Sequence, residues 1–269
     1  MNLAHPAPSP AAPRSRPALA DARFVLATDL DGTFLGGDAA QRRALYDWIE
    51  SRRDDTLLVF VTGRDLPHVA RLVEDGLPAP DYVIGDVGTT VVDWRSRTPV
   101  PALIDWVEGR WGGANERVRA MLAGTPGLEL QTEPMARRVS YYYDPEVFDP
   151  ASVAHVEAAG FDVVTSADTY LDVLPRGVSK GPTLERFCEA LGIPRDRVLV
   201  AGDTLNDWTL YLTGLDGVVV GNAEPALVER VTGLAEREHV YLSPHPGCAG
   251  IADAIHHFAK HPEAPPRPS

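Results

Sequence analysis

Five short apolar runs, near residues 24–28, 57–62, 82–85, 197–201 and 216–220, punctuate the chain. Between them, near 39–52, 65–75, 181–191, 206–213 and 224–231, apolar residues recur every three or four positions. Runs such as Phe24-Val25-Leu26-Ala27 fit strands buried on both faces, and the intervening periodicity fits amphipathic helices. The alternation predicts an α/β fold, a Rossmann-like parallel sheet covered by helices on both sides.

The rhythm breaks between Asp93 and Asp172. Helix-like segments at Ile104 to Leu122 and Ala151 to Ala159 mix there with strand-like ones at Leu128 to Gln131, Arg138 to Tyr143, Phe161 to Val164 and Tyr170 to Leu174. That pattern predicts an α+β cap over 93–174, inserted into a discontinuous core of 21–92 and 175–260. The chain leaves the core after Gly88 and returns before Lys180, so two close linkers tether the insert over the carboxyl ends of the strands. A second domain with a separate task is the alternative. The Pro- and Ala-rich residues 1–20 and the Pro-rich residues 261–269 are expected to be disordered tails.

Composition narrows the function classes. The chain has 269 residues, 44% of them hydrophobic. It holds no apolar run near the roughly 20 residues of a membrane span, so a soluble, cytoplasmic protein is expected. The net charge of −13 argues against a nucleic-acid surface. It does not argue against an anionic substrate, because a bound divalent cation and Lys180 can make a site locally positive. Cys188 and Cys248 fit neither a disulfide framework nor a Cys-rich metal site.

Chemistry concentrates where apolar runs stop. Asp29 and Asp31 follow the first run and precede Gly32, at the strand end where open α/β sheets bind ligands. Side chains two apart on extended chain point the same way, so both carboxylates could converge on one metal and one phosphate. Thr62 and Gly63 end the second run, where a hydroxyl and exposed backbone N–H groups can hold a phosphoryl oxygen. Lys180 opens a helix, where a cation is mildly unfavourable for the dipole and needs either an anionic partner or plain solvent, solvent being the commoner case. Asp203, Asn206 and Asp207 follow another apolar run across a strand-to-helix turn. Each feature also has an inert reading, such as an ordinary Asp-Gly turn or an N-cap.

Taken in order, Asp29/Asp31, Thr62, Lys180 and Asp203/Asn206/Asp207 resemble the four motifs of the haloacid dehalogenase (HAD) superfamily of phosphohydrolases. Asp86-Val87-Gly88-Thr89, the run from Leu171 to Gly177, and Cys248-Ala249-Gly250-Ile251 resemble segments of its sucrose-phosphatase-like branch. The resemblance implies a magnesium-dependent sugar phosphatase. It implies that Asp29 is the nucleophile and Asp31 the general acid and base. Thr62, Gly63, Lys180 and Asn206 would hold phosphate. Mg²⁺ would be held by Asp29, the backbone carbonyl of Asp31, Asp203 and Asp207.

The expected substrate is a disaccharide phosphate such as sucrose 6-phosphate, with a mannosylfructose or glycosyl-glycerate phosphate as alternatives. A non-catalytic module that docks on a sugar-phosphate synthase is the reading from another class, and that synthase is also a possible partner of the enzyme. The stretch from Gln131 to Tyr143, with Glu133, Arg138, Tyr141 and Tyr143, is the expected sugar platform, and Arg138 and Tyr141 are its candidate contacts. Arg138 stands where the resembling branch carries a Lys-Val-Ser segment, but the preceding Arg-Pro is replaced by Met135-Ala136.

Overall fold

The computed structural model describes residues 19, 22–132 and 135–268. Apart from Leu19, which packs against the core, the expected N-terminal tail lies outside the described residues, as does Glu133. In chain order the first half of the core is β1 (Phe24–Thr28), α1 (Ala39–Ser51), β2 (Thr56–Val61), α2 (Leu66–Glu74), β3 (Tyr82–Gly85), β4 (Thr90–Asp93) and β5 (Thr98–Pro99). Next come α3 (Pro101–Trp111), α4 (Asn115–Met121), β6 (Leu128–Leu130), β7 (Val139–Tyr143), α5 (Ala154–Ala158), β8 (Phe161–Ser166) and β9 (Tyr170–Pro175). The chain then returns through α6 (Lys180–Leu191), β10 (Val198–Gly202), a 3-10 segment (Leu205–Leu212), β11 (Asp216–Val219), α7 (Pro225–Thr232), β12 (Val240–Leu242) and α8 (Gly247–His257).

The larger sheet has the order β12-β11-β10-β1-β2-β3-β4-β5, and the smaller one β6-β7-β9-β8. Six strands of the larger sheet, from β12 to β3, run parallel. β4 and β5 add an antiparallel edge, so the chain stays in the larger sheet beyond the boundary at 93 read from sequence. The smaller sheet is antiparallel throughout.

Alternation along the central strands sorts the core into two faces. Phe24, Leu26, Leu58 and Phe60 pack with Trp48, Ile49 and Ile251 from α1 and α8. Val25, Ala27, Leu57 and Val59 pack on the other face with Leu184 and Phe187 from α6 and Leu227 from α7. Burying both faces explains why these strands read as unbroken apolar runs. A third cluster, with Trp111, Val118, Val139, Tyr141, Phe161 and Leu171, forms the interior of the cap. α3 joins the two units, with Leu103 in the core cluster and Trp111 in the cap cluster.

Two expectations need correction. The single helix expected over 104–122 is two, because Gly112 takes a left-handed conformation (φ +59°) that closes α3. The segment beyond 260 is not a free tail as far as residue 268. His261 is buried beside Asp55 and stacks edge-on against Trp48, whose indole N–H donates to the carbonyl of Glu263. Prolines with fixed φ lose little entropy when they pack, so Pro-rich sequence does not by itself mean disorder.

Candidate active site

Four loops at the carboxyl ends of β1, β2 and β10 and at the start of α6 meet under the cap. Asp29 leaves β1 with its backbone still extended, and its N–H donates to the carbonyl of Ala201 on β10. Asp203 and Asp207 follow β10. Oxygen atoms of Asp29, Asp203 and Asp207 all lie within 4.8 Å of one another, and the three residues are buried. Lys180 Nζ, wholly buried, donates to Asp29 Oδ1 and to Asp207 Oδ1 at 2.6 Å each. This supplies the anionic partners that a lysine at a helix start requires.

The cluster is held from several sides. Asp207 Oδ2 accepts from the backbone N–H groups of Asp203 and Thr204 at 3.0 Å each, so the residue caps the 3-10 segment while it faces Lys180. Thr33 Oγ1 donates to Asp203 Oδ1 at 2.6 Å. Gly32 has φ +77°, and a Cβ there would fall 2.0 Å from Asp203 Oδ2. Only glycine allows both that turn and that approach.

Three carboxylates against one ammonium leave two negative charges in a buried site. Burial pushes the Asp29 carboxyl well above its ordinary range, and Asp207 and Asp203 add to the rise while Lys180 opposes it. Burial, with Asp207, likewise lifts Asp203 to about 7. Burial disfavours the charge on Lys180, but Asp207 and Asp29 outweigh it and hold the ammonium firmly protonated. An all-oxygen donor set with two uncompensated charges suits a hard divalent cation.

The remaining predicted residues divide. Thr62 is buried at the end of β2, where its hydroxyl accepts from Arg64 N–H at 3.1 Å. Gly63 and Asn206 line the same cavity as Asp29, and Asn206 Nδ2 reaches Ser166 of the cap at 3.4 Å. Asp31 lines it too, but its carboxylate is not in the buried cluster. The backbone turns over Leu30–Phe34 immediately after Asp29, so the two side chains do not keep the common direction expected of extended chain. Asp31 instead receives a bidentate pair from Arg64, at 2.7 and 3.1 Å.

The cavity, of about 270 Å³, lies between core and cap. Arg64 and His68 form its core wall, and Gln131, Tyr142 and Tyr170 its cap wall. Tyr141 is not among its lining residues; it is 4% exposed inside the cap's apolar cluster. Its neighbour Tyr142 lines the cavity, 42% exposed and 5.8 Å from the ring of Tyr170. The alternation of strand β7 was legible, but its parity relative to the cavity was not. Tyr143 packs against Phe148 instead. Arg138 lines the cavity, and its guanidinium is held by Asp86 and Asp172 while its Nε has no hydrogen-bond partner among the described residues. Sequence reasoning missed Thr33, Arg64, Tyr142 and Tyr170. Arg64 carried a signal, since it directly follows Thr62-Gly63.

A family model for sucrose-6F-phosphate phosphohydrolase matches residues 22–259. The chain belongs to that family. Its members are phosphoric monoester hydrolases. A glucosylglycerol-phosphate synthase of Pseudomonas anguilliseptica is 40% identical over 239 residues, which are 87% of this chain but 31% of that protein. This chain therefore spans about a third of that relative. A mannosylfructose-phosphate phosphatase of Agrobacterium fabrum is 31% identical over 88% of this chain and 98% of its own length. Among solved structures, the sucrose-phosphatase from Synechocystis with sucrose and phosphate bound superposes with a TM-score of 0.80 at 26% identity. That match covers 88% of this chain and 98% of the other. The fold is thus that of a HAD phosphatase with an inserted cap. Among the described residues no helix is long and apolar enough to cross a membrane.

Tyr142→Ala is expected to lower kcat/KM for a glycoside phosphate up to about tenfold and to affect p-nitrophenyl phosphate less, since loss of one stacking face removes about 0.5–1.5 kcal/mol. Tyr141→Ala should instead lower the unfolding free energy by about 3 kcal/mol, as for other large buried aromatics. Equal effects of Tyr142→Ala on both substrates would remove that residue from the specificity surface.

Proposed function

We propose that the chain is a magnesium-dependent phosphatase whose substrate is the phosphate ester of a glycoside. The observation that carries this reading is the buried triad of Asp29, Asp203 and Asp207 around Lys180, with Asp29 lining a cavity walled by polar and aromatic cap residues. A non-catalytic module has no use for such a cluster, since buried uncompensated carboxylates destabilise a fold unless they serve a ligand.

Asp29, held by Lys180, attacks phosphorus and forms an aspartyl-phosphate. Asp31 protonates the departing sugar oxygen and then takes the proton of the water that releases phosphate. Its half-exposed carboxylate lines the cavity, which supports that role. Thr62, the backbone of Gly63, Lys180 and Asn206 offer donors to the phosphoryl oxygens. Asp29, Asp203, the backbone carbonyl of Asp31, and Asp207 directly or through water would hold Mg²⁺. The cation, when bound, offsets charge between the anionic nucleophile and the anionic ester.

The family supports a disaccharide phosphate such as sucrose 6-phosphate. A second reading, glucosylglycerol phosphate, is favoured by the 40% identity to a protein named for making that compound. That relative carries the matched stretch within a longer chain named as a synthase, which also supports a sugar-phosphate synthase as partner here. Phosphate release measured with Mg²⁺ and again in excess chelator tests the chemistry. Release only with the cation is expected, and full activity in chelator would refute the reading.

Stability should report the same site. Because burial and the neighbouring Asp207 lift the folded carboxyl of Asp203 to about 7 from its ordinary 3.8, the folded state binds that proton more tightly than the unfolded chain. The metal-free protein should therefore lose stability as pH rises from about 4 to about 7. Mg²⁺ competes with that proton, so it should raise the melting temperature more at pH 8 than at pH 5. An equal shift at both values, read by thermal melts, would contradict the assignment of Asp203.

A further inference from the structure

We infer that Asp86 and Arg138 are positioning residues that latch the cap to the core in one orientation and so set which leaving groups the cavity accepts. The inference rests on the cavity being the glycoside phosphate site proposed above. Asp86 belongs to the core, in the turn between β3 and β4. Arg138, which immediately precedes β7, and Asp172 on β9 belong to the cap. The Arg138 guanidinium lies 3.2 Å from Asp86 Oδ1 and 2.9 Å from Asp172 Oδ1, and the residue is 7% exposed. One buried cation therefore joins the two units.

Each end of this bridge is fixed within its own unit. Ser140 and Asp172 are paired across β7 and β9, and the Ser140 hydroxyl donates to the Asp172 carboxylate. In the core, Thr90 Oγ1 donates to Asp86 Oδ2 at 2.7 Å. The turn beneath is costly: Asp86 and Val87 adopt φ of +52° and +56°, a region unfavourable for any non-glycine residue and most for a β-branched one. It persists because both phosphate-side loops hold it. Asp86 N–H donates to Arg64 O at 3.0 Å and Val87 N–H to Thr62 O at 3.1 Å. Thr183 of α6 donates to Gly88 O at 2.9 Å, three residues along from Lys180. The acceptor that the cap engages is therefore braced against the loops that hold phosphate.

A buried ion pair adds little net stability but strongly favours the one arrangement in which both charges are matched. Swinging the cap away would strip Arg138 of its core partner. Retaining it keeps Arg138, Asp172 and Tyr142 in the cavity wall opposite Arg64, which shapes the space around the sugar and leaves the phosphate loops unaltered.

Asp86→Asn keeps the shape of the acceptor and removes its charge. We expect kcat/KM for the preferred glycoside phosphate to fall at least tenfold, mainly through KM, with p-nitrophenyl phosphate changed less than twofold. Arg138→Gln should show the same loss on the glycoside phosphate, and the double variant should be no worse than the poorer single one. Equal losses on both substrates, no loss, or additive losses would each overturn the latch. Hydrogen exchange without substrate separates this from the functional reading. Asp86→Asn should speed exchange of the amides in 135–143 and leave those of β1 and β10 unchanged. Unchanged exchange in 135–143 would overturn the latch whatever the wild type hydrolyses. Faster exchange in a protein that hydrolyses no glycoside phosphate would uphold the latch and refute the function.

Discussion

Asp29→Asn is expected to lower turnover about 10⁴-fold or more, the scale set by removing a covalent nucleophile, while the metal-free protein becomes more stable. The amide is nearly isosteric and can still accept from Lys180 Nζ through its oxygen, so the local hydrogen bonding survives. What disappears is a negative charge that burial, Asp207 and Asp203 all disfavour. The two effects have opposite signs, which separates loss of chemistry from loss of fold. Steady-state phosphate release and a thermal melt without Mg²⁺ check them together. A variant that kept more than about a hundredth of the wild-type rate would displace Asp29 from the nucleophile's role.

Lys180→Met should damage both stability and rate. Lys180 is wholly buried and each of its two carboxylate partners lies 2.6 Å away. Removing one member of such a group leaves the others buried without compensation, at a cost of about 3–5 kcal/mol. For a chain of this size that is a fall in melting temperature on the order of 10 °C. Mg²⁺ should recover part of it, because a divalent cation offsets the same carboxylates. Turnover should fall about 10²–10³-fold, the usual loss when a charge-stabilising donor is removed from an active site. A melting temperature within about 2 °C of wild type would mean that the lysine is not the counter-charge of this cluster.

The core of the site was legible because its chemistry sits at the ends of strands whose buried apolar runs are unmistakable. Asp29, Thr62, Lys180 and Asp203 each stand one or two residues beyond such a run or at a helix start, and the structure brings all of them to one end of the sheet. The direction of Asp31 was not legible, because the turn over Leu30–Phe34 depends on Gly32 packing against Asp203, 171 residues away in sequence. β4, β5 and β12 were also missed. They are short strands at or next to the edges of the sheet, of four, two and three residues, too brief for alternation to register. In the cap, the strand of Arg138 to Tyr143 was visible, yet which face met the cavity depended on how the cap docks. That docking is fixed by Asp86, a residue of the core.

The most direct measurement is phosphate release by the wild-type protein from a panel of sucrose 6-phosphate, mannosylfructose phosphate, glucosylglycerol phosphate, glucose 6-phosphate and p-nitrophenyl phosphate, each with and without Mg²⁺. The account predicts Mg²⁺-dependent hydrolysis in which one glycoside phosphate exceeds glucose 6-phosphate and p-nitrophenyl phosphate by about tenfold or more in kcat/KM, a difference of about 1.4 kcal/mol in transition-state binding. Equal rates across the panel, or no release from any glycoside phosphate, would contradict it.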